Sequence, residues 1–167
     1  AYIERLSPLC EEAHSSITGG KESIKIESEQ KFEGTESEIA DAFEKALAER
    51  AEKDTDLGYT SIGPHRDDLK IKVDGTDVKT YGSQGQQRTA ALALKLAETE
   101  IFKERYGEYP VLILDDAMSE LDRGRRKRLI DGVKKMQTII TCTEPDCVPD
   151  YDKYKNVFIE NGKIIKE

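Results

Sequence analysis

The chain has 167 residues and a formal net charge of -8, with 36% of residues charged and 37% hydrophobic. That length suits one domain, or one domain with an appendage, and is enough to bury a core. No run approaches the roughly 20 apolar residues of a membrane span, no basic-then-apolar opening marks a secretory leader, and the acidic balance argues against a surface coated with nucleic acid while leaving room for a local basic patch.

The charge is unevenly placed. The first 56 residues carry 15 acidic and 7 basic side chains, whereas the remainder carries 19 of each. The cysteines, Cys10, Cys142 and Cys147, form no C-x-x-C pair and are odd in number. A disulfide scaffold and a cysteine zinc site are therefore not expected, and reduced thiols of a cytoplasmic protein are.

In chain order, residues 2–16 read as a helix with Ile3, Leu6, Leu9, Cys10 and Ala13 on one stripe, ended by Gly19-Gly20. Residues 22–29 alternate around Ile24 and Ile26 as a half-exposed strand. Thr35-Glu36-Ser37-Glu38 is a capping box, opening a helix to about Lys53 with Ile39, Phe43, Ala46 and Leu47 inward. Asp56-Leu57-Gly58 closes this acidic part. The reading divides the chain into a mainly helical arm, 1–56, and a second body, 57–167.

Leu69–Val73 alternates as a strand, Asp74-Gly75 signals a two-residue hairpin, and Val78 is expected to start the return. A loop, Tyr81-Gly82-Ser83-Gln84-Gly85, leads into a helix to about Tyr106, whose first half is apolar on most faces and expected to be buried. Val111-Leu112-Ile113-Leu114 is an unbroken apolar run ending in Asp115-Asp116. Such a run reads as a central strand buried on both faces of a parallel sheet. A basic helix, about 123–135, a strand at 138–141, and a terminal hairpin turning at Asn161-Gly162 complete the chain. Helix, buried strand, helix, strand is the rhythm of an α/β fold.

Three elements carry candidate chemistry. Two carboxylates emerge at the C-terminal edge of an expected parallel strand, where ligands bind in open sheets. One carboxylate there suits Mg²⁺ and the next suits orienting a water against a phosphate, although a strand simply ending in a polar turn, with Asp116 as a cap, gives the same pattern. Ser83 stands where an N-cap would, and Gly85 lets a ligand approach the helix N-terminus, whose dipole favours anions. An ordinary cap is the alternative. A G-x-S-x-G elbow is excluded, because Tyr81 stands two before Ser83. Ser119-Glu120-Leu121-Asp122 opens the basic helix, with Asp122 in the cap position.

Together and in this order, S-x-G-Q at a helix start, a strand ending Asp-Asp, then S-x-L-D resemble the C-terminal part of an ABC-type P-loop NTPase head. Ser83–Gln87 is similar to the signature motif, Leu112–Asp116 to Walker B with its acidic partner, and Ser119–Asp122 to the D-loop. With Gly63-Pro64-His65-Arg66-Asp67-Asp68-Leu69, the wording over about residues 58–145 resembles the RecF family, related to SMC and RecN heads. The acidic residues 1–56 are compatible with that family's arm.

The resemblance implies an ATP-dependent recombination mediator of DNA repair. It implies ATP and Mg²⁺ as cofactors, an ATP-dependent homodimer, and loading at gapped or single-strand–duplex junctions of single- and double-stranded DNA. It also implies RecO and RecR as partners, RecA indirectly, no membrane, and a weak DNA-dependent ATPase in the full-length dimer. Asp115 would hold Mg²⁺ through water and Asp116 would polarise the attacking water. Ser83, Gln84, Gly85 and Gln86 would clasp the γ-phosphate of ATP on the partner subunit, and Ser119 and Asp122 would lie along the seam. The switch position falls on Thr141 or Thr143. No G-x-x-x-x-G-K-[ST] occurs in the chain, so it is expected not to bind or hydrolyse ATP alone and to be the C-terminal half of something longer.

Arg123, Arg125, Arg126 and Arg128, with Lys134 and Lys135 beyond, form a candidate DNA-phosphate patch or a solvated helix face. Gln86, Gln87 and Arg88 are expected to steady the signature turn, Arg88 by pairing with a carboxylate near the strand end. His65 and Arg66 beside Asp67 and Asp68 read as a structural turn, a nucleotide-proximal loop or a metal site. Two rival functions stand beside the main reading: a Mg²⁺-dependent phosphoesterase or nuclease using Asp67, Asp68, Asp115 and Asp116, and a non-catalytic interaction module.

Overall fold

A computed structural model describes residues 2–29, 32 and 34–166. They fall into two compact units, one formed by the residues up to Lys25 with those from Ile71 onward, the other by Ile26–Lys70. The boundary expected at 56 is therefore not where the compact units divide. The reason is packing: the first helix, α1 (Tyr2–Thr18), lies against α4 (Gln84–Tyr106) and α5 (Arg123–Val133). Its stripe of Leu6, Cys10 and Ile17, with His14 and Thr18, is fully buried there. Charge composition could not reveal this, because acidic residues line only its solvent face. No helix among the described residues is long and apolar enough to cross a membrane.

In the first unit, β4 (Leu112–Asp115) pairs in parallel with β5 (Thr138–Thr141), in register from Leu112↔Thr138 to Asp115↔Thr141. The fold is mixed α/β as expected, but β4 is not buried on both faces. Leu112 and Leu114 are buried, whereas Val111 is 54%, Ile113 65% and Ile139 49% exposed. Period-2 geometry puts Ile113 opposite Leu112 and Leu114, and the described residues cover only one face. The terminal hairpin pairs β6 (Phe158–Glu160) with β7 (Lys163–Lys166) through Asn161-Gly162, both at positive φ. That is the backbone twist which two-residue hairpins require.

A three-stranded sheet has the order β1 (Ile24–Glu29), β2 (Asp68–Val73), β3 (Thr76–Asp77), with β2 and β3 antiparallel across Asp74-Gly75. The return strand does not continue at Val78. Asp77 accepts a hydrogen bond from the Thr80 N–H at 2.9 Å and starts a helical turn, α3 (Val78–Tyr81). Aspartate is a strong N-cap, and here it outweighs the β preference of valine.

In the second unit, α2 (Glu36–Leu57) has the expected capping box at Thr35 and ends at Gly58 in the left-handed region. It buries no residue fully; Ile39, Phe43, Ala46 and Leu47 are half-buried. After it, Asp54 accepts the Ser61 N–H at 3.0 Å, and His65 donates from Nε2 to the Thr60 carbonyl at 3.0 Å. Arg66 stacks over Tyr59. Local turn bonds thus occupy His65 and Arg66.

Candidate functional site

The first turn of α4 is fixed by its own sequence. The Ser83 hydroxyl accepts the Gln86 N–H at 3.3 Å, and the Gln86 side-chain oxygen accepts the Ser83 N–H at 3.1 Å, a complete capping box. Upstream, the Gln87 amide donates to the carbonyls of Val78 at 3.1 Å and Gly82 at 3.2 Å, clipping α3 to the helix start. Gly82 is required there, since a Cβ would meet the Val78 carbonyl oxygen at 2.6 Å. At Gly85 a Cβ would meet only the Glu120 carbonyl, at 4.0 Å. The positive end of a 23-residue helix therefore stands at an exposed Gln84, with backbone that an anion can approach.

The aspartates are held from the neighbouring strand. The Thr141 hydroxyl donates to Asp115 Oδ1 at 2.5 Å and accepts the Asp116 N–H at 3.1 Å. One hydroxyl thus orients the Asp115 carboxylate and fixes the backbone of Asp116, which lies in the left-handed region at φ 46. Parallel register makes this possible by setting Asp115 beside Thr141. Beyond, Ala117, Met118 and Leu121 are buried and pin the segment, while Asp116, Ser119, Glu120 and Asp122 face solvent. Asp122 caps α5, accepting the Arg125 N–H at 3.0 Å. That bond holds its carboxyl below the usual aspartate range.

Arg88 joins the two halves. It donates from Nη2 to the Asp116 carbonyl at 2.7 Å and pairs through Nη1 with Glu120 at 3.0 Å, while Ser119 Oγ donates to the same Asp116 carbonyl at 3.1 Å. The S-x-G-Q turn and the paired aspartates therefore share one corner of the first unit. The carboxylate expected to receive Arg88 is Glu120. Asp116 caps no helix; its carbonyl accepts from Arg88 and Ser119, and its N–H donates to Thr141.

The basic run is largely occupied. Arg126 donates to the carbonyls of Leu121 at 2.7 Å and Ser119 at 3.3 Å, and Arg128 to the Ile17 carbonyl at 2.7 Å, closing the end of α1. Arg125 is bonded to Glu22, Thr89 and Asp122. Of the four arginines, Arg125, Arg126 and Arg128 are partly exposed and bonded within the fold, and Arg123 is exposed. The helix also ends earlier than expected, at Val133. Of the two threonines at the switch position, Thr141 touches the aspartates, while Thr143 lies exposed beyond the strand. The bridging role of Thr141 was not readable from sequence, because it rests on strand register. The Ser83–Gln86 box is written locally in the sequence as S-x-x-Q.

No protein-family model matches the chain. It is 45% identical over 165 residues to the DNA replication and repair protein RecF of Clostridium perfringens (strain SM101 / Type A), covering 98% of this chain and 45% of that protein. To the RecF of Clostridium beijerinckii it is 40% identical over 168 residues, 99% of this chain and 46% of the relative. The chain thus spans about half the length of the curated relatives it matches. Among solved structures, the recombination mediator protein RecF of the RecFOR pathway, solved as RecF-ATPrS, superposes with a TM-score of 0.64 at 38% identity, over 89% of this chain and 40% of that one. The RecF-ATP structure gives 0.63 at 37%, over 87% and 40%. The Smc head domain of Pyrococcus furiosus, at 16% identity and a TM-score of 0.50 over 89% of this chain and 29% of that one, shares the fold. The chain is therefore a homologue of a portion of the RecF proteins, built on part of the fold of an ABC-type ATPase head.

Proposed function

We propose that this chain is the signature-bearing part of a RecF-type ATPase that uses ATP to join two protomers on DNA during repair. The observation that carries the reading is the shared corner: Arg88 binds the Asp116 carbonyl and Glu120 from the helix whose N-terminus carries Ser83 and Gly85. A helix N-terminus favours a phosphate anion, and a nearby carboxylate can share a Mg²⁺ ion with that phosphate.

The residues fit ATP with Mg²⁺. Gly85 leaves its backbone approachable, and Asp115 offers an exposed carboxylate oriented by Thr141. Among the described residues no group of three or more His, Cys, Asp or Glu side chains gathers to hold a metal, so Asp115 would share the cation with phosphate oxygens and water. When bound, Mg²⁺-ATP supplies the interfacial anion and the bond to be hydrolysed. The chain's own part is to present the α4 N-terminus and Ser83 to the γ-phosphate of a nucleotide held mainly by the other protomer. Asp116 would orient water, and Ser119 and Asp122 would lie at the seam. The exposed apolar face of β4 and β5, Val111, Ile113 and Ile139, supports the chain's working within a larger sheet.

DNA at gapped or single-strand–duplex junctions is the proposed substrate surface, with exposed Arg123 and Lys127 as its phosphate contacts from α5. RecO, RecR and, through them, RecA are the proposed partners. The test is dimerisation with ATP, measured by sedimentation in a longer protein that carries this chain and a phosphate-loop portion. Ser83→Arg should abolish it, and Asp116→Ala should preserve it while removing hydrolysis. Robust ATP hydrolysis by this chain alone would overturn the assignment.

A further inference from the structure

Arg125 is bonded to three segments far apart in sequence. Its Nη2 donates to Glu22 Oε1 at 2.8 Å. Its Nη1 donates to Thr89 Oγ1 at 2.8 Å and reaches the Gly85 carbonyl at 3.4 Å, and its Nε lies 3.3 Å from Asp122 Oδ2. Thr89 itself donates to the Gly85 carbonyl at 2.7 Å. We propose that Arg125 is a positioning residue that sets the S-x-G-Q turn of α4 against the Ser119–Asp122 segment, with Glu22 as its half-buried counter-charge, so that nucleotide-dependent joining of protomers depends on it although it touches no nucleotide.

The energetics favour positioning over stability. The Arg125 and Glu22 side chains are each only 17% exposed. Taking two ions that far out of water costs about as much as their attraction returns. The second Glu22 oxygen, Oε2, is buried without a hydrogen-bond partner among the described residues, so the pair is not fully compensated. Apolar side chains of similar size in place of both partners would fold about as well, whereas removing the arginine alone would strand the Glu22 charge. What no apolar side chain reproduces is the planar fork, which binds Asp122 and the Gly85–Thr89 turn at one distance and angle. Helix α4 carries the anion-facing end and α5 the seam-facing cap, and Arg125 is a polar tie between them. His14, fully buried nearby, is held neutral by burial, which leaves the Glu22 charge to Arg125.

This inference rests on the function proposed above, and its test separates the two. In the longer protein, dimerisation with ATPγS is measured by sedimentation, and binding of a fluorescent ATP analogue to the monomer is measured separately. Arg125→Met, made together with Glu22→Gln so that no charge is left unpaired, should weaken dimerisation at least about tenfold, with nucleotide affinity within about twofold and melting temperature close to wild type. Glu22→Gln should act in the same direction, and the pair of changes should be less than additive. If Arg125→Met does not fold, Arg125→Lys, which keeps the charge and loses the fork, is judged by the same split. Wild-type dimerisation in the folded arginine variant, with Ser83→Arg still abolishing it, overturns this inference alone. Dimerisation that survives Ser83→Arg overturns the underlying reading and this inference with it.

Discussion

Helices α2 and α4 begin and end alike and differ in between. Each opens with a complete capping box, Thr35 with Glu38 and Ser83 with Gln86, and each closes at a left-handed glycine, Gly58 and Gly107. They run 22 and 23 residues. Yet α2 buries no residue fully, whereas α4 buries Thr89, Ala90, Leu92, Ala93, Ala97 and Thr99. The ends are local chemistry, satisfied by side chains three residues away. The middles are tertiary, since α4 packs against α1 and α3. Among the described residues, α4 rather than α2 also has its start held from a distance, by Arg125 on the Gly85 carbonyl and Thr89 and through Arg88. A helix start becomes a candidate ligand site by what surrounds it, and not by its cap.

The largest expected effect separates the middles. Leu92→Ala in α4 should cost about 2–5 kcal/mol by leaving a cavity, whereas Leu47→Ala in half-buried α2 should cost about 1 kcal/mol. Urea titration of both variants checks this, and equal losses would erase the contrast. Next come the caps. Thr35→Ala and Ser83→Ala should each cost about 1 kcal/mol, and a much larger loss at Ser83 would show that its cap is coupled to the corner of Asp116.

His14 sharpens the account of the buried α1 face through pH. His14 is buried in α1, and burial lowers its pKa below the ordinary histidine value. The folded state therefore binds fewer protons than the unfolded chain. The stabilisation is complete above about pH 6.5 and is lost as pH falls below it. Unfolding free energy should decline between pH 7.5 and 5.5, and His14→Leu should flatten that decline.

The smallest effect is a labelling rate. Burial pushes the Cys10 thiol up to about 12, while Cys142 is exposed and Cys147 half-buried. A thiol reagent at pH 8 should modify Cys142 and Cys147 and spare Cys10 until the packing of α1 opens. Modification of Cys10 at the rate of the others would mean that α1 is not anchored on α4.

Much of this was legible beforehand. The α2 stripe of Ile39, Phe43, Ala46 and Leu47 is the half-buried one, because helical periodicity alone decides which residues share a face. The Asn161-Gly162 hairpin and the Asp122 cap follow from turn and cap chemistry acting within a few residues. Failures came where the partner is distant. Val111–Leu114 reads as doubly buried because hydropathy cannot tell which covering layer the chain itself supplies. Composition likewise cannot show a guanidinium turned back onto Ile17 or Thr89, so the arginines of α5 read as either a DNA-phosphate patch or a solvated face.

By itself the sequence determined the elements, their caps, and the order of S-x-G-Q, Asp-Asp and S-x-L-D. Each of these depends on side chains reaching their own backbone or on a repeat along one helix. Only the tertiary structure decided that Thr141 orients Asp115, that Arg88 binds the Asp116 carbonyl, and that Arg125 ties Glu22, Thr89 and Asp122 together. Apart from the Arg125–Asp122 pair, three residues apart, these are bonds across 26 to 103 residues, and they form only after parallel register and helix packing have brought the groups within hydrogen-bond reach.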